Sequence, residues 1–236
     1  GDARFLAECG AELTVTDLKT EEQLAESLVQ LKSFPNITFH LGGHQLEDFQ
    51  NKDLVLKAAG VPLDSPYIAE AKKHHTPVRM SADLMAELSG APVIGVTGTR
   101  GKSTVTECIA HILQTAGKEA LLGGNVRGVS TLSLLPQVTP QSVAVLELDS
   151  WQLQGFAEAG LSPHIAVFTT FLPDHMNYYK NSMEAYFADK AQIFLNQSET
   201  DTLIVGEQVT PFIKEYGYQQ KVCSHVGQVG IKALPT

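Results

Sequence analysis

The stretch "GVTGTRGKSTVTECIAHILQTAG", residues 95–117, places a glycine-rich turn directly before an amphipathic helical pattern. The start of a helix leaves backbone N–H groups unpaired and carries about half a positive charge, so a turn with few side chains can bind a phosphate there. Lys102 would reach the terminal phosphates, and Ser103 or Thr104 could offer a hydroxyl to Mg²⁺. The stretch therefore predicts a phosphate-binding loop between a strand and a helix.

The loop departs from the strict pattern G-x-x-x-x-G-K-[ST], because the position five residues before Gly101 is Val96 instead of glycine. An apolar strand pattern precedes the loop, and a helix is predicted from Lys102 to Ala116. The apolar residues of that helix are predicted to share one face: Val105, Ile109, Ile112 and Leu113. The alternative is a structural glycine turn that happens to be followed by lysine and serine.

Strand and helix patterns alternate along the chain, which is typical of an α/β fold with a mostly parallel sheet. The longest helical pattern of the front part covers residues 21–33, and loop residues at "SGAP", residues 89–92, precede a second α/β pattern that ends with a strand at "KVCSHV". We predict a Rossmann-like domain at residues 1–91, truncated at its N-terminus, and a P-loop-type α/β domain at residues 92–236, incomplete at its C-terminal end. The chain opens without Met, so we expect a trimmed fragment.

The composition argues against several classes of partner. Seventeen Lys and Arg residues against twenty-six Asp and Glu residues give a net charge of −9, which does not suit a surface for nucleic acid or an anionic membrane. Cys9, Cys108 and Cys223 are scattered without a C-x-x-C pair, so we expect no disulfide framework or zinc site and a reducing cytoplasm. No apolar stretch approaches the ~20 residues that span a bilayer, so we expect no membrane insertion.

Charged residues follow two further strand patterns. Glu147 and Asp149 end the apolar run in "SVAVLELDSWQL", before a helix predicted near "SWQLQGFAEA". Ligands bind at the carboxyl ends of parallel strands, so Glu147 is predicted to bind a metal, although it could instead pair with a lysine. Asp149 could also bind the metal, but the N-cap of the following helix is the favoured role for it. Asp174 and His175 follow the next strand, and His175 is predicted to bind metal or phosphate unless it is a solvated loop side chain.

Lys190 lies in "AYFADKAQIF" on a predicted helix. The apolar residues of this stretch are predicted to face the core: Tyr186, Phe187, Ile193 and Phe194. Spacing alone predicts that Lys190 is a surface lysine whose aliphatic stem covers apolar neighbours.

Together these motifs resemble those of the Mur ligase family, which couples amino acids to cell-wall precursors, and the resemblance covers nearly the whole chain. The family's loop G-T-N-G-K-[ST]-[ST] stands here as "GTRGKST", its G-G-N element as "GGN" at residues 123–125, its D-H element as "DH" at residues 174–175, and its lysine-bearing helix as "ADKAQIF". "LELDSWQL" is similar to the L-E-L-S-S-F-Q-L of members that add D-glutamate. "KAAGVPLDSP" is similar to their K-S-P-G-[IV]-P segment, which approaches a uridine nucleotide.

The resemblance implies an ATP-dependent ligase of peptidoglycan synthesis that joins D-glutamate to UDP-N-acetylmuramoyl-L-alanine through an acyl phosphate, with ATP and Mg²⁺ as cofactors. The ATP-binding residues would be Gly98, Thr99, Arg100, Gly101, Lys102, Ser103 and Thr104. The catalytic residues would be Lys102, Glu147, His175 and Lys190. The ligands of up to two Mg²⁺ ions would be Ser103, Glu147, His175 and Lys190, with Lys190 carbamylated. The residues in contact with the substrate would be Asp17, Gly60, Asn125, Ser150 and Gln152.

The chain departs from the family's motifs at a few positions: Arg100 stands for Asn, Asp149 for Ser, Ala58 and Ala59 for Ser-Pro, and Asn177 for Asp. The family's first glycine loop would precede residue 1 and its third domain would follow residue 236, so we expect this chain to be inactive in ligation by itself. We also expect it to be a monomer. Two alternatives stay open: another Mur or folylpolyglutamate-type ligase, or a non-catalytic nucleotide-binding module.

Overall fold

The computed structural model describes residues 1–126 and 128–219 in full, and residues 225–229 by their backbone. The chain folds into two compact units, one of residues 1–81 and 130–133 and the other of the described residues in 82–129 and from 134 onward. This division falls earlier than the predicted boundary between residues 91 and 92. The difference arises because Ala82 and Met85 pack into the core of the second unit.

The first unit contains two separate pairs of parallel strands. The strands are β1 (Leu13–Asp17) with β2 (Ile37–Leu41), and β3 (Val55–Leu56) with β4 (Val78–Arg79). The helices are α1 (Asp2–Glu8), α2 (Ala25–Val29) and α3 (Pro66–Lys73), with a short 3-10 helix at Leu46–Phe49. The predicted alternation of helices and parallel strands is confirmed, although α2 is much shorter than the pattern over residues 21–33.

The second unit is built on a six-stranded parallel sheet with the order β10-β9-β8-β5-β7-β6. Its strands are β5 (Val93–Thr97), β6 (Glu119–Gly124), β7 (Ser142–Glu147), β8 (Ile165–Phe168), β9 (Thr202–Gly206) and β10 (His225–Val229). Its helices are α4 (Ser81–Leu88), α5 (Lys102–Thr115), α6 (Ser150–Ala159), α7 (Met183–Ala191) and α8 (Thr210–Glu215), and a 3-10 helix covers Leu132–Gln137. The α/β fold class is confirmed. The predicted strand at "KVCSHV", with Cys223, lies largely outside the described residues.

The position of β5 decides where the ligand site lies. Every residue of β5 is buried, as expected for a parallel strand covered on both faces. β5 pairs with β7 on one side and β8 on the other, so the chain crosses from one side of β5 to the other between these two strands. In open parallel sheets such a crossing leaves a crevice at the carboxyl ends of the strands, which is where ligands bind.

Helices α5 and α7 both pack on this sheet. The sequence pattern predicts the buried side chains correctly around α7 but not throughout α5. The four aromatic and aliphatic residues predicted to face the core beside Lys190 are all buried: Tyr186, Phe187, Ile193 and Phe194. On α5, however, Ile112 is 65% exposed, and the buried residues are Thr106 and Ala110. The predicted apolar face of α5 is therefore wrong at Ile112, because the helix turns smaller side chains toward its neighbours. Among the helices of the described chain, none is both long and apolar enough to cross a bilayer.

Candidate functional site

The loop between β5 and α5 is held by the residues that follow β8. The Thr99 N–H donates to the Thr170 carbonyl at 2.7 Å, and the Arg100 N–H donates to Thr170 Oγ1 at 2.9 Å. The Thr169 hydroxyl donates to the Arg100 carbonyl at 2.6 Å. Gly98 has φ 146°, and a Cβ there would overlap Thr169 Oγ1, so only glycine allows this approach. The loop is thus fixed against its neighbouring strand end.

The N-terminus of α5 faces this crevice without a side-chain cap. Its N-cap residue, Gly101, has φ 85° and makes no capping hydrogen bond through a side chain. The Lys102 ammonium folds back over the loop and donates to the Gly98 carbonyl at 3.0 Å, while Ser103 and Thr104 are exposed in the first turn. N–H groups, the helix dipole and a lysine therefore gather where an anion can bind.

Glu147 ends β7 next to the loop and is 5% exposed. Asn125 contacts it twice: its backbone N–H donates to the Glu147 carbonyl at 2.8 Å, and its Nδ2 donates to Glu147 Oε1 at 3.3 Å. Gly124 has φ 85°, and a Cβ there would overlap the Glu147 carbonyl oxygen. Gly124 of the "GGN" element therefore lets Asn125 reach the buried carboxylate.

Asp149 is the N-cap of α6. Its Oδ1 accepts from the Gln152 N–H at 2.7 Å, and the Gln152 Oε1 accepts from the Asp149 N–H at 3.2 Å, which completes a capping box. The prediction that Asp149 is an N-cap is confirmed. Ser150 is 1% exposed. The Gln152 side chain is thus engaged within the protein, and the Ser150 side chain is buried.

His175 follows β8 in a left-handed backbone conformation, φ 53°. The Asp174 Oδ1 accepts from the His175 N–H at 2.9 Å, and Asp174 Oδ2 accepts from Arg100 Nη1 at 3.0 Å. Burial raises the pKa of Asp174, but the His175 N–H together with the His175 and Arg100 charges outweighs burial and leaves this pKa below its ordinary value. The Trp151 ring lies against the His175 ring, with centroids 4.6 Å apart.

Lys190 is 1% exposed. Its ammonium donates to the Gly98 carbonyl at 3.1 Å and to Thr97 Oγ1 at 3.4 Å, and it lies 4.9 Å from the centre of the Tyr186 ring. The surface position predicted from spacing is wrong. Lys190 follows Tyr186 by four positions and Phe187 by three, so it lies on the same face of the helix as these two buried side chains.

The environment of Lys190 lowers its pKa to about 7. Burial is the main cause, since it disfavours the charged amine, and the neighbouring Lys102 charge acts in the same direction. The carboxylates that oppose this shift without cancelling it are those of Asp149, Asp174 and Asp189. A large share of the Lys190 amine is therefore neutral near neutral pH.

The structure brings most of the predicted residues of the second unit to one crevice. Lys102 and Lys190 donate to the same carbonyl, that of Gly98, and Glu147 is the register partner of Val96 on the adjacent strand. Across the described residues, no three His, Cys, Asp or Glu side chains form a group that could hold a metal ion. The metal roles predicted for Ser103, Glu147, His175 and Lys190 stay predictions.

In the first unit, Asp17 ends β1 and Gly60 lies in an exposed turn. The Asp17 Oδ1 accepts from the Lys19 N–H at 2.8 Å. The turn that contains Gly60 is organised by Lys57, which is buried and donates to the Val61 carbonyl at 2.8 Å. Sequence reasoning missed Lys57; a lysine at the end of the apolar pattern "DLVLKAA" was the available signal.

Comparison with known proteins identifies the family. Residues 96–233 match the family model described as the Mur ligase middle domain. The chain belongs to the Mur ligase family.

Relatives of this Mur ligase chain carry a more specific name. It is 39% identical over 214 residues to the UDP-N-acetylmuramoylalanine--D-glutamate ligase of Roseiflexus sp. (strain RS-1). This alignment covers 91% of this chain and 45% of the relative. It is also 39% identical over 214 residues to the ligase of the same name from Treponema pallidum (strain Nichols), covering 86% of this chain and 40% of the relative. The chain thus spans less than half the length of these curated relatives.

Solved structures share the fold of this Mur ligase chain. The UDP-N-acetylmuramate:L-alanyl-gamma-D-glutamyl-meso-diaminopimelate ligase from Neisseria meningitides aligns with a TM-score of 0.60 at 17% identity, covering 94% of this chain and 71% of that one. The MurF ligase from Thermotoga maritima in complex with ADP aligns with a TM-score of 0.51 at 17% identity, covering 80% and 50%. At this level of identity the likeness is one of fold.

Two contacts of the candidate site were not predicted by any sequence motif. These are the ion pair between Arg100 and Asp174 and the ring contact between Trp151 and His175. Each joins residues of different loops and helices, so the position of one partner cannot be read from the sequence around the other.

Proposed function

We propose that this chain is the ATP-binding part of a ligase that joins D-glutamate to UDP-N-acetylmuramoyl-L-alanine in peptidoglycan synthesis. The observation that carries the proposal is the uncapped N-terminus of α5, where Lys102 folds over a glycine turn at the carboxyl end of β5. Relatives that match most of this chain and are named as D-glutamate ligases support the choice of acceptor. Since the chain spans less than half of their length, the ligation itself is part of the proposal.

In the proposed reaction the substrate carboxylate takes the γ-phosphoryl group of ATP, the amine of D-glutamate attacks the acyl phosphate, and phosphate leaves from the tetrahedral intermediate. The loop from Gly98 to Thr104 would bind ATP with its backbone N–H groups. Lys102 would stabilise the negative charge of the transferred phosphoryl group together with those N–H groups. Because this charge grows as the phosphoryl group moves, fixed donors contribute most at that step.

Mg²⁺ is part of the proposal, and the chemistry of the residues present fits it. Ser103 and Glu147 offer the oxygen ligands that Mg²⁺ prefers, and this ion commonly needs only one or two carboxylates beside the phosphates of its substrate. When bound, Mg²⁺ would offset the charge of those phosphates. His175 and Lys190 are proposed as ligands of a second Mg²⁺.

Lys190 is proposed to be carbamylated. A neutral amine attacks CO₂, loses a proton and becomes a carbamate with one negative charge. The lowered pKa of Lys190, about 7, provides that neutral amine. The new carboxylate would stand beside the Lys102 ammonium and replace the repulsion between two cations with an attraction.

Five residues are proposed to contact the rest of the substrate. Asn125, Ser150 and Gln152 would contact the muramoyl part, and Asp17 and Gly60 the uridine nucleotide. Support is most direct for Asn125, which is exposed at the strand ends beside Glu147. Gln152 already accepts a hydrogen bond from the Asp149 N–H and Ser150 is buried, so both side chains would rearrange to contact a substrate.

Isothermal titration calorimetry with MgATP tests the loop. We expect Lys102→Ala to weaken binding by at least about tenfold, because it removes a charge-assisted contact to phosphate. Lys118→Ala, an exposed lysine beyond the other end of α5, is the matched control and should bind as the wild type does. Equal affinity of the wild type and Lys102→Ala would overturn the assignment.

A further inference from the structure

Arg100 carries a guanidinium on the rim of the loop, and its backbone is fixed. The Arg100 N–H donates to Thr170 Oγ1 at 2.9 Å and its carbonyl accepts from Thr169 Oγ1 at 2.6 Å. Its side chain, in contrast, is 70% exposed. The guanidinium can therefore change partners while the loop, with Lys102, keeps its conformation.

The Asp174 carboxylate holds this guanidinium at present. Arg100 Nη1 lies 3.0 Å from Asp174 Oδ2 and 3.4 Å from the Thr99 carbonyl. Within the described parts of the chain, the Nε and Nη2 groups of Arg100 have no hydrogen-bond partner. An ion pair this exposed contributes little to stability, so its exchange for another anion is easy.

A terminal phosphate is a better partner for Arg100 than a single carboxylate is. It carries more charge, and its oxygens match the two arms of a guanidinium. We propose that Arg100 leaves Asp174 and binds the terminal phosphate of ATP, so that Asp174 competes with that phosphate for the guanidinium. This inference rests on the proposed function of the loop as an ATP site.

The competition predicts opposite effects for the two partners. Arg100→Asn removes the donor, so affinity for MgATP falls. Asp174→Asn removes the competing charge, so affinity for MgATP rises, but only while Arg100 is present. If Arg100 served merely to hold Asp174 in place, both substitutions would break the same contact and change affinity in the same direction.

Calorimetry on the chain with MgATP and with MgADP is the test. We expect Arg100→Asn to weaken MgATP binding about tenfold and MgADP binding less than about twofold, and Asp174→Asn to tighten MgATP binding about threefold. The double variant should bind MgATP as Arg100→Asn does, which a double-mutant cycle quantifies. Lys118→Asn removes the same charge far from the loop and should leave both affinities unchanged. Titrations of ATP in EDTA separate these effects from those of any metal at His175.

The outcomes separate this inference from the proposed function. If Lys102→Ala loses MgATP binding and Arg100→Asn does not, the loop assignment stands and the inference is wrong. If Asp174→Asn weakens binding, or its gain persists in the double variant, the competition is also refuted. If the wild type fails to bind MgATP, or Lys102→Ala binds it as tightly as the wild type, the loop assignment and the inference on Arg100 are both refuted. Arg100→Lys, which keeps the charge without the planar fork, should give an intermediate affinity if Arg100→Asn proves poorly folded by circular dichroism.

Discussion

At the scale of single residues, Gly124 shows how a close backbone approach restricts the sequence. Its φ of 85° and its contact with the Glu147 carbonyl leave no room for a Cβ. We expect Gly124→Ala to lower the free energy of unfolding by about 2–4 kcal/mol, since it adds left-handed strain and overlap. Gly117, with φ 74° and open space around it, is the control, and Gly117→Ala should cost only about 1–2 kcal/mol, the left-handed strain alone. Urea denaturation measures both, and equal losses would show that the Glu147 contact does not require glycine.

Lys190 makes the stability of the chain depend on pH. In the unfolded chain its amine binds a proton up to its ordinary pKa of 10.5, but in the folded chain only up to about 7. Between these values the unfolded state binds more protons, so stability rises with pH by up to about 1.4 kcal/mol per unit; below pH 7 this contribution is constant.

We therefore expect the free energy of unfolding of the wild type to rise, relative to that of Lys190→Met, between about pH 7.5 and 9. Urea denaturation of both proteins at several pH values in CO₂-free buffer, in which Lys190 is a free amine, measures the difference. Parallel pH profiles would mean that the Lys190 amine titrates near its ordinary value in the folded chain.

At the scale of secondary-structure elements, the capping box assigns Asp149 to the start of α6. We expect Asp149→Ala to lower the free energy of unfolding by about 1 kcal/mol and Asp149→Ser, which keeps a capping oxygen, to lower it much less. Ser182, whose hydroxyl accepts from the Ala185 N–H at 3.1 Å, caps α7 and gives a matched comparison through Ser182→Ala. MgATP affinity should be the same in Asp149→Ser and the wild type, and a large loss would indicate that Asp149 holds the metal instead.

The elements that the sequence predicts well are those with strong local signals. α6 covers the ten residues of "SWQLQGFAEA", between an Asp at its N-cap and a glycine in a left-handed conformation at its C-cap. α2 is the contrary case: the pattern predicts a helix over residues 21–33, but only Ala25–Val29 is helical and only Leu28 is buried. Most helical stability comes from packing, so a pattern without a covered face overestimates helix length.

The features of the candidate site also fall into two groups, those that a local motif predicts and those that depend on distant parts of the chain. A motif of consecutive residues was enough to place the loop at β5, Glu147 at the end of β7 and the N-cap at Asp149. The hydrogen bond from Lys190 to the Gly98 carbonyl and the ion pair between Arg100 and Asp174 join residues across long separations in the chain. Such contacts follow from how strands are ordered in the sheet, which spacing within one helix or loop does not reveal.

At the scale of the whole molecule, amide formation needs a carboxylate, a γ-phosphate and an amine held together and shielded from water. Alignment of this kind is worth about 7–11 kcal/mol of a barrier. With ATP, UDP-N-acetylmuramoyl-L-alanine and D-glutamate, we expect the 236-residue chain to release phosphate at a rate near background. Robust ligation by this chain would contradict that expectation.

In a protein that contains this chain and has the full length of its curated relatives, we expect amide formation with D-glutamate. Phosphate release and product formation should collapse in its Lys102→Ala and Lys190→Ala variants, because each loses a group at the proposed phosphoryl-transfer site. A preference for L-lysine over D-glutamate would show that the acceptor was assigned wrongly.

The contact between Trp151 and His175 makes the intrinsic tryptophan fluorescence of the chain a probe of this site. Trp151 is the only tryptophan in the sequence, so indole emission comes from one place in the molecule. Its ring centroid is 4.6 Å from that of His175 and 5.7 Å from that of Tyr178. A ligand that displaces either neighbour alters the quenching of this single fluorophore. Occupancy of the crevice can therefore be followed in the unlabelled protein, by the same signal in the wild type and in every variant that keeps Trp151.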